Sequence, residues 1–441
     1  MKHGPKKLCF ASSSGIALLM VLASLSIMSA LIVEFAYNSQ VTYNLALNEK
    51  DRVQAYYLAE SALSFSKLIL KFDKEAKKLA GEASNKLGRT VQIQPLYEMI
   101  PLNSEVLRGV AQLQSGKPEG GSEGGEGGEG GEAPGASASP AQPLSGFNVQ
   151  GAESFLAFEG DFSSEITEED AKLNINAFFN LSPGAKSYDR LKSTIYHLLL
   201  TDEFKGMFED KFRGAKDLAQ NIADYIDRDD AQNEAGGQDR GREGVGLAAG
   251  QVKMKNAKLL SLEELMVVPG MTEDIFQKLK PYLTVYGADE KIFLCRAKDP
   301  LVKALILAYT ENNTKLEPLR DENADLLTKA TDAVLNSCPD LQAMANELDK
   351  ALGVTQPESG PSDTGAKPGP TSTLPGATSG TGASAAGASA DDFSKMIKNE
   401  NKIFTVIGIG TVGETEVRLK TVLDTSNPNP NRWTVLYWRV E

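Results

Sequence analysis

Apolar positions along this chain follow three patterns. The first is an unbroken run. From Ile16 to Val33 there is no charged residue, Pro or Gly, and the first charge is Glu34. As a helix rising about 1.5 Å per residue the run is roughly 27 Å long, enough with its flanks to cross a bilayer core of about 30 Å. The second pattern is a helical stripe. Val53, Tyr56, Leu63 and Leu70 recur at offsets of three and seven, with the charges Glu49, Lys50, Asp51 and Arg52 alongside. No Pro or Gly falls between Ile16 and Leu79. One continuous helix over 16–79 is therefore predicted, membrane-spanning over 16–36, with Gly81 as its first breaker. The third pattern is alternation near the C-terminus. Val417, Leu419 and Leu423 alternate with Arg418 and Lys420. Strands are predicted over 403–409, 417–423 and 433–438, joined into a meander by turns at Gly413-Glu414 and Asn427–Asn431.

The middle of the chain is mixed. Residues 80–114 open on Gly81 and Gly88, and Thr90–Gln94 alternates as a short strand would. Phe155–Gly160 reads as a strand and turn. The acidic Glu168-Glu169-Asp170 precedes a second alternating stretch, Leu173-Asn174-Ile175-Asn176. From Ser187 onward the period becomes helical, with stripes at Leu191, Ile195, Leu198, Leu199 and at Leu218, Ile222, Ile226. Ser261 and Glu264 form a capping box. Leu301–Tyr309 is apolar enough to be buried, and Leu341, Ala345, Leu348 and Leu352 form a further stripe. Two segments, 115–145 with its Gly-Gly-Glu repeats and 356–390 with Gly, Ser, Thr, Pro and Ala, lack the apolar surface to order themselves and read as linkers.

Composition narrows the chemistry. The net charge is −13, which argues against nucleic acid or an anionic membrane surface as the main partner. Only His3 and His197 are present, so a His-based catalytic triad has a single interior candidate and a His-rich zinc site has none. The basic Lys2, Lys6 and Lys7 precede the apolar run, which places the N-terminus in the cytoplasm and the bulk outside it. Three readings fit the run itself: a signal anchor, a cleaved secretory signal, or a prepilin-type leader ending at Gly15 with the helix starting at Ile16. Cys9 lies ahead of the run. Cys295 and Cys338, exposed to an oxidising compartment, would form either a disulfide or two buried thiols.

The segment Asp51-Arg52-Val53-Gln54-Ala55 followed by Leu58-Ala59-Glu60-Ser61-Ala62-Leu63 resembles the N-terminal helix of minor pseudopilins of type II secretion, specifically the general secretion pathway protein K family. Pilins and most pseudopilins carry Glu at the fifth mature position. Here that position is Met20, and the protein K family likewise lacks the acid. A buried carboxylate needs a partner charge, and a subunit at a filament tip has no neighbour above it to supply one. The resemblance implies an α+β fold, a pilin-like long helix on an antiparallel sheet with a large all-α insertion. Its parts would be a leader over 1–15, the helix, pilin-like segments over 80–114 and 146–185, the insertion over 186–355, and a sheet over 391–441. It also implies cleavage after Gly15 by a prepilin peptidase, methylation of Ile16, and a single-pass inner-membrane protein with a periplasmic body. The function implied is structural, at the tip of a pseudopilus with other minor pseudopilins and the major pseudopilin, and not enzymatic.

Two motifs in the insertion have an alternative chemistry. Asp224–Asp230 followed by Gly236-Gly237-Gln238-Asp239 is similar to an acidic run in the protein K family, which implies Ca²⁺ at Asp227, Asp229, Asp230 and Asp239. Its spacing is not that of an EF-hand, and a solvated acidic loop capping neighbouring helices is the plain alternative. Leu262–Thr272, with Pro269-Gly270, looks like a helix-hairpin-helix that would bind DNA phosphate. Glu263, Glu264, Glu273 and Asp274 would repel phosphate there, which favours a structural helix pair. The other functions weighed are a minor pilin of a type IV pilus and a membrane-anchored DNA-binding protein using that hairpin.

Overall fold

The computed structural model describes residues 14–87, 94–115, 158–233, 239–242, 254–313, 316–319, 323–353 and 392–441. The predicted linkers and most of the Thr90–Gln94 strand lie outside them. Contacts divide the chain into two units. One holds residues up to Glu165 with Val406–Lys420 and Arg439–Glu441; the other holds Ile166–Thr405 and Thr421–Trp438. A four-stranded sheet has the order β1-β6-β7-β8, from β1 (Asp161–Glu168), β6 (Ile403–Val412), β7 (Thr415–Asp424) and β8 (Thr434–Val440).

In the first unit, helix α1 runs from Ser14 to Leu87, 74 residues. It is longer than predicted because Gly81 sits inside it with open space around its Cα. A single Gly costs a helix about 1 kcal/mol, which neighbouring turns absorb. The apolar first part is exposed throughout, with a mean hydropathy reaching 2.7, and it is long and apolar enough to cross a membrane. The buried face of the second part overlaps the predicted stripe only in part: Leu63 and Leu70 are buried as predicted, but the face turns toward Ala55 and Ala59 at its N-terminal end. Val53 is 48 % exposed and Tyr56 only half-buried, whereas Ala55, Leu58, Ala59, Ala62 and Leu63 are buried. The sheet explains the shift. Gly408 and Gly410 on β6 lie against the Ala59 and Ala55 carbonyls, so closely that a Cβ on either glycine would collide with helix backbone. Only small helix residues fit opposite, so the alanines face inward.

Polar contacts fix the same docking. Ser66 and Ser164 hydroxyls meet at 2.7 Å, Gln54 Nε2 donates to the Glu159 carbonyl at 2.9 Å, and Phe65 meets Phe162 edge-on. Two short helices, α2 (Leu96–Met99) and α3 (Ser104–Ser115), follow α1. Arg108 of α3 pairs with Asp161 at 2.8 Å and lies over the Phe158 ring. Of the strand and turn expected at Phe155–Gly160, residues 155–157 lie outside the described residues, and strand β1 begins at Asp161. Gly160, at φ +95°, makes the bend that precedes it.

The second unit is helical, with α4 (Lys186–Leu199), α5 (Lys211–Ile226), α6 (Glu273–Leu279), α7 (Asp299–Glu311), α8 (Ala324–Asn336) and α9 (Leu341–Ala351). Its core includes Phe178, Tyr188, Ile195, Phe204 and Tyr309, all fully buried. It also contains small strand pairs. The parallel pair β2 (Leu173–Asn174) and β5 (Leu283–Thr284) replaces the longer strand expected after Asp170, and β3 (Ala231–Asn233) pairs antiparallel with β4 (Asp239–Arg242). The longer strand stops at Asn174 because that side chain accepts from Asn176 N at 3.1 Å and starts a 3₁₀ turn.

Glu169 and Asp170 bind the two ends of this unit together. Asp170, 5 % exposed, accepts from Lys398 Nζ at 2.6 Å and from the backbone N–H groups of Lys402 and Ile403 at 2.6 and 2.9 Å. Its carbonyl accepts from Phe293 N at 2.7 Å. Glu169 accepts from Thr405 Oγ1 and Lys172 Nζ, both at 2.7 Å.

Gly410→Ala should destabilise the protein by at least about 1–3 kcal/mol, since helix and strand backbones would have to separate. A drop in melting temperature with loss of Tyr and Phe near-ultraviolet circular dichroism would register it.

Candidate functional site

The acidic motif occupies the C-terminal end of α5. Asp224 and Asp227 point inward, 1 % and 0 % exposed, whereas Asp230 is exposed. Helical spacing accounts for this. Residues 222, 223 and 226 form the apolar stripe, so Asp227 follows it into the core and the next turn leaves. The Tyr188 hydroxyl, from α4, donates to Asp227 Oδ2 at 2.6 Å. Gln220 bonds to Asp224 and accepts from Lys192 Nζ at 2.9 Å. Lys192 in turn lies over the Tyr188 ring.

Burial sets the electrostatics here. It pushes the Asp224 carboxyl up to about 7, with Asp227 adding to the rise and the Gln220 hydrogen bond opposing it. Burial first, and then Asp227, push the Tyr188 phenol well above its ordinary value. One buried tyrosine thus donates to an acid that sits beside another acid in low dielectric.

The outer part of the turn is held from a distant segment. Asn256, a non-glycine residue at φ +47°, donates through Nδ2 to the Asp229 carbonyl at 2.7 Å and to Asp230 Oδ1 at 2.9 Å. Its backbone N–H reaches the Tyr225 carbonyl at 3.1 Å. Asp229 Oδ1 accepts from Ala231 N at 2.8 Å, and Arg228 stacks over Phe179. Asp239 begins β4, and its side chain lies outside the described residues. Of the four carboxylates expected to hold Ca²⁺, Asp227 faces inward to Tyr188, and Asp229 and Asp230 belong to the outer turn. Among the described residues no three acidic, His or Cys side chains gather as metal ligands. The described part of the turn does not complete a cation cage without Asp239.

Sequence reasoning missed Tyr188, Asn256 and Asn176. Asn176, 5 % exposed, donates to the Leu259 and Val285 carbonyls at 2.9 and 2.8 Å and accepts from Leu259 N at 2.7 Å, joining three segments. The only signal was an Asn at an inward position of an alternating run, where an apolar residue would be expected.

The remaining candidates are dispersed. Ser261–Glu264 forms its capping box, but on a 3₁₀ turn over Leu262–Val267. The Pro269 carbonyl accepts from Asn221 Nδ2 at 2.9 Å, and Leu265 and Val268 are buried, so the hairpin turn is fastened to α5. Glu263 pairs with Lys280 at 2.9 Å on its surface. His197 Nε2 lies 2.9 Å from Glu311 Oε2, and Ser193 bonds the same oxygen, so serine and histidine both address the carboxylate and form no nucleophile–base pair. Cys295 and Cys338 form a disulfide with Cα atoms 5.6 Å apart, linking the 3₁₀ turn Leu294–Arg296 to the end of α8. Gly15 and Ile16 lie in the exposed first turns of α1, far from any of these groups in sequence.

Residues 171–288 match the family model of type II secretion system (T2SS) protein K. No curated protein matches the chain. Among solved structures, the chain is similar to one chain in the crystal structure of the GspK-GspI-GspJ complex from the enterotoxigenic Escherichia coli type 2 secretion system. That match has 16 % identity and a TM-score of 0.40, and covers 64 % of this chain and 80 % of the other.

Tyr188→Phe should cost about 1.5–3 kcal/mol, the value of a hydrogen bond to a buried charged group, read from chemical denaturation. The raised Asp224 value gives stability a definite pH slope. The neutral acid favours the fold fully below about pH 4, and that contribution is lost as pH rises to about 7. Asp224→Asn should flatten this part of the profile. Reduction of the Cys295–Cys338 bond, which closes a sequence separation of 43, should cost about 2–4 kcal/mol in the same assay.

Proposed function

We propose that this chain, whose residues 171–288 belong to the protein K family of the type II secretion system, is a minor pseudopilin at the tip of the pseudopilus. The family match carries this reading. Support comes from the fold around it: a long helix, apolar and exposed in its first part, leads into a segment packed on an antiparallel sheet. Such a helix has one end suited to lipid or to neighbouring apolar helices and the other committed to its own domain.

In this reading a prepilin peptidase cleaves after Gly15 and methylates Ile16. The basic leader keeps the N-terminus cytoplasmic, and the body lies in the periplasm. The processed helix then joins those of other minor pseudopilins and the major pseudopilin. Met20 in place of an acid suits a subunit with no partner above it. The tip complex starts assembly and aids the export of folded proteins. The role is structural; neither the Ser193/His197/Glu311 contact nor the acidic turn has the arrangement of a nucleophilic site.

Calcium belongs to the same proposal. Asp239 would join Asp229 and Asp230 around the ion, with Asp227 held behind them by Tyr188. A hard cation takes about six to eight oxygens, and the turn concentrates carboxylates where one could be held. Bound Ca²⁺ would supply charge neutralisation and a fixed loop, and no reaction step.

Intact mass of the membrane-extracted protein tests the main reading. Cells with prepilin peptidase should yield a species starting at Ile16 with one added methyl group, and cells without it the full chain. An unprocessed chain in both would leave a plain signal-anchored protein. Calcium is tested separately by melting with Ca²⁺ and with chelator. A Ca²⁺-dependent rise that Asp230→Asn and Asp239→Asn both diminish is expected. No rise in the unaltered protein would end the calcium assignment alone.

A further inference from the structure

Asp349 lies in the last turn of α9 and is 1 % exposed. Among the described residues, neither of its carboxylate oxygens has a hydrogen-bond partner. The other buried acids of this unit are engaged: Asp170 takes three donors, and Asp227 takes the Tyr188 hydroxyl. A buried carboxylate left without donors pays its full desolvation cost when ionised.

Among the described residues no cation compensates Asp349. From α7, the titratable group acting with it is Tyr309, itself buried, whose phenol is pushed up by burial first and then by Asp349. From α8, the buried residues are Ala330, Thr331 and Val334, none of them charged. On α9 itself, Glu347 and Lys350 pair with each other at 3.3 Å on the exposed side. Asp392 and Arg190 act on Tyr309 from the segment where the chain returns and from α4. Tyr309 also meets Phe393 edge-on, with ring centres 5.1 Å apart. Tyr309 therefore stands between Asp349 and the segment that leads to β6.

We propose that Asp349 is a proton-operated latch for α9: with its carboxyl neutral the last helical turn stays docked beside Tyr309, and with its carboxyl ionised that turn opens to water. Burial, with no opposing charge, pushes the carboxyl up to about 6. In the open turn the group has the ordinary range near 4. The open form thus loses its proton first. The docked form is favoured fully below about pH 4, loses ground tenfold per pH unit up to about pH 6, and holds a constant, weaker preference above that. The device tightens in acid and is loose at neutral pH.

Hydrogen exchange on the full chain in detergent tests this, with rates corrected for intrinsic exchange at each pH. Amides over 345–352 should lose about a hundredfold in protection between pH 4 and 6 and then level off. In Asp349→Asn the same amides should keep their protection across the range. Protection over α5, which follows Asp224, should fall as pH rises in both proteins and serves as the internal control. Protection at 345–352 that does not change with pH in the unaltered protein overturns the latch, whether or not the variant folds. A slope of the same size retained in Asp349→Asn overturns it as well.

Discussion

Two neighbouring strands, β1 and β6, are separated in sequence by residues 169–402, and the chain has to be brought back across that gap. Asp170 does this at the neck. One carboxylate collects a lysine and two backbone N–H groups from the returning segment, and the same residue's carbonyl collects Phe293. The helical insertion is in effect the loop of one very long hairpin. Loop-closure entropy grows only slowly with length, so a large loop is tolerable once its ends are fastened. A charge-assisted clamp, 5 % exposed, is a strong fastening because its donors include a cation and backbone groups that would otherwise lack partners.

Within the first unit the limiting factor is space. A helix normally packs on a sheet through bulky side chains. Here Gly408 and Gly410 remove them on one side, and Ala55, Ala59 and Ala62 reduce them on the other. Backbone meets backbone along this seam, with Ser66 and Gln54 supplying hydrogen bonds beside it. The apolar first part of α1 makes no such commitments, which leaves it available to lipid or to other helices.

Features governed by local periodicity were legible in the sequence: the long helix, the capping box at Ser261, the stripe of α9 and the terminal meander. The buried face of α1 was legible at Leu63 and Leu70 but not at Val53 and Tyr56, where it gave way to alanines selected by glycines more than three hundred residues later. The acidic run was visible as charge, but its division into inward Asp227 and outward Asp230 depends on Tyr188 and Asn256, and neither carries a signal of its own. Asn176 illustrates the same limit: its three hydrogen bonds reach segments about 83 and 109 residues away. Distant partners of single polar residues cannot be inferred from spacing.

The neck arrangement also sets an order of events. Three of the four strands of the sheet come from residues after 402, and the glycines that meet α1 lie on the first of these, β6. In chain order the helix comes first, then β1 and the insertion, and then β6 with the glycines that meet the helix. The core of the insertion takes in Phe393, Met396 and Ile397 from the returning segment. The close backbone seam on the alanine face of α1 cannot form before Gly408 and Gly410 have been made, although β1 can meet the helix earlier through Phe162 and Ser164.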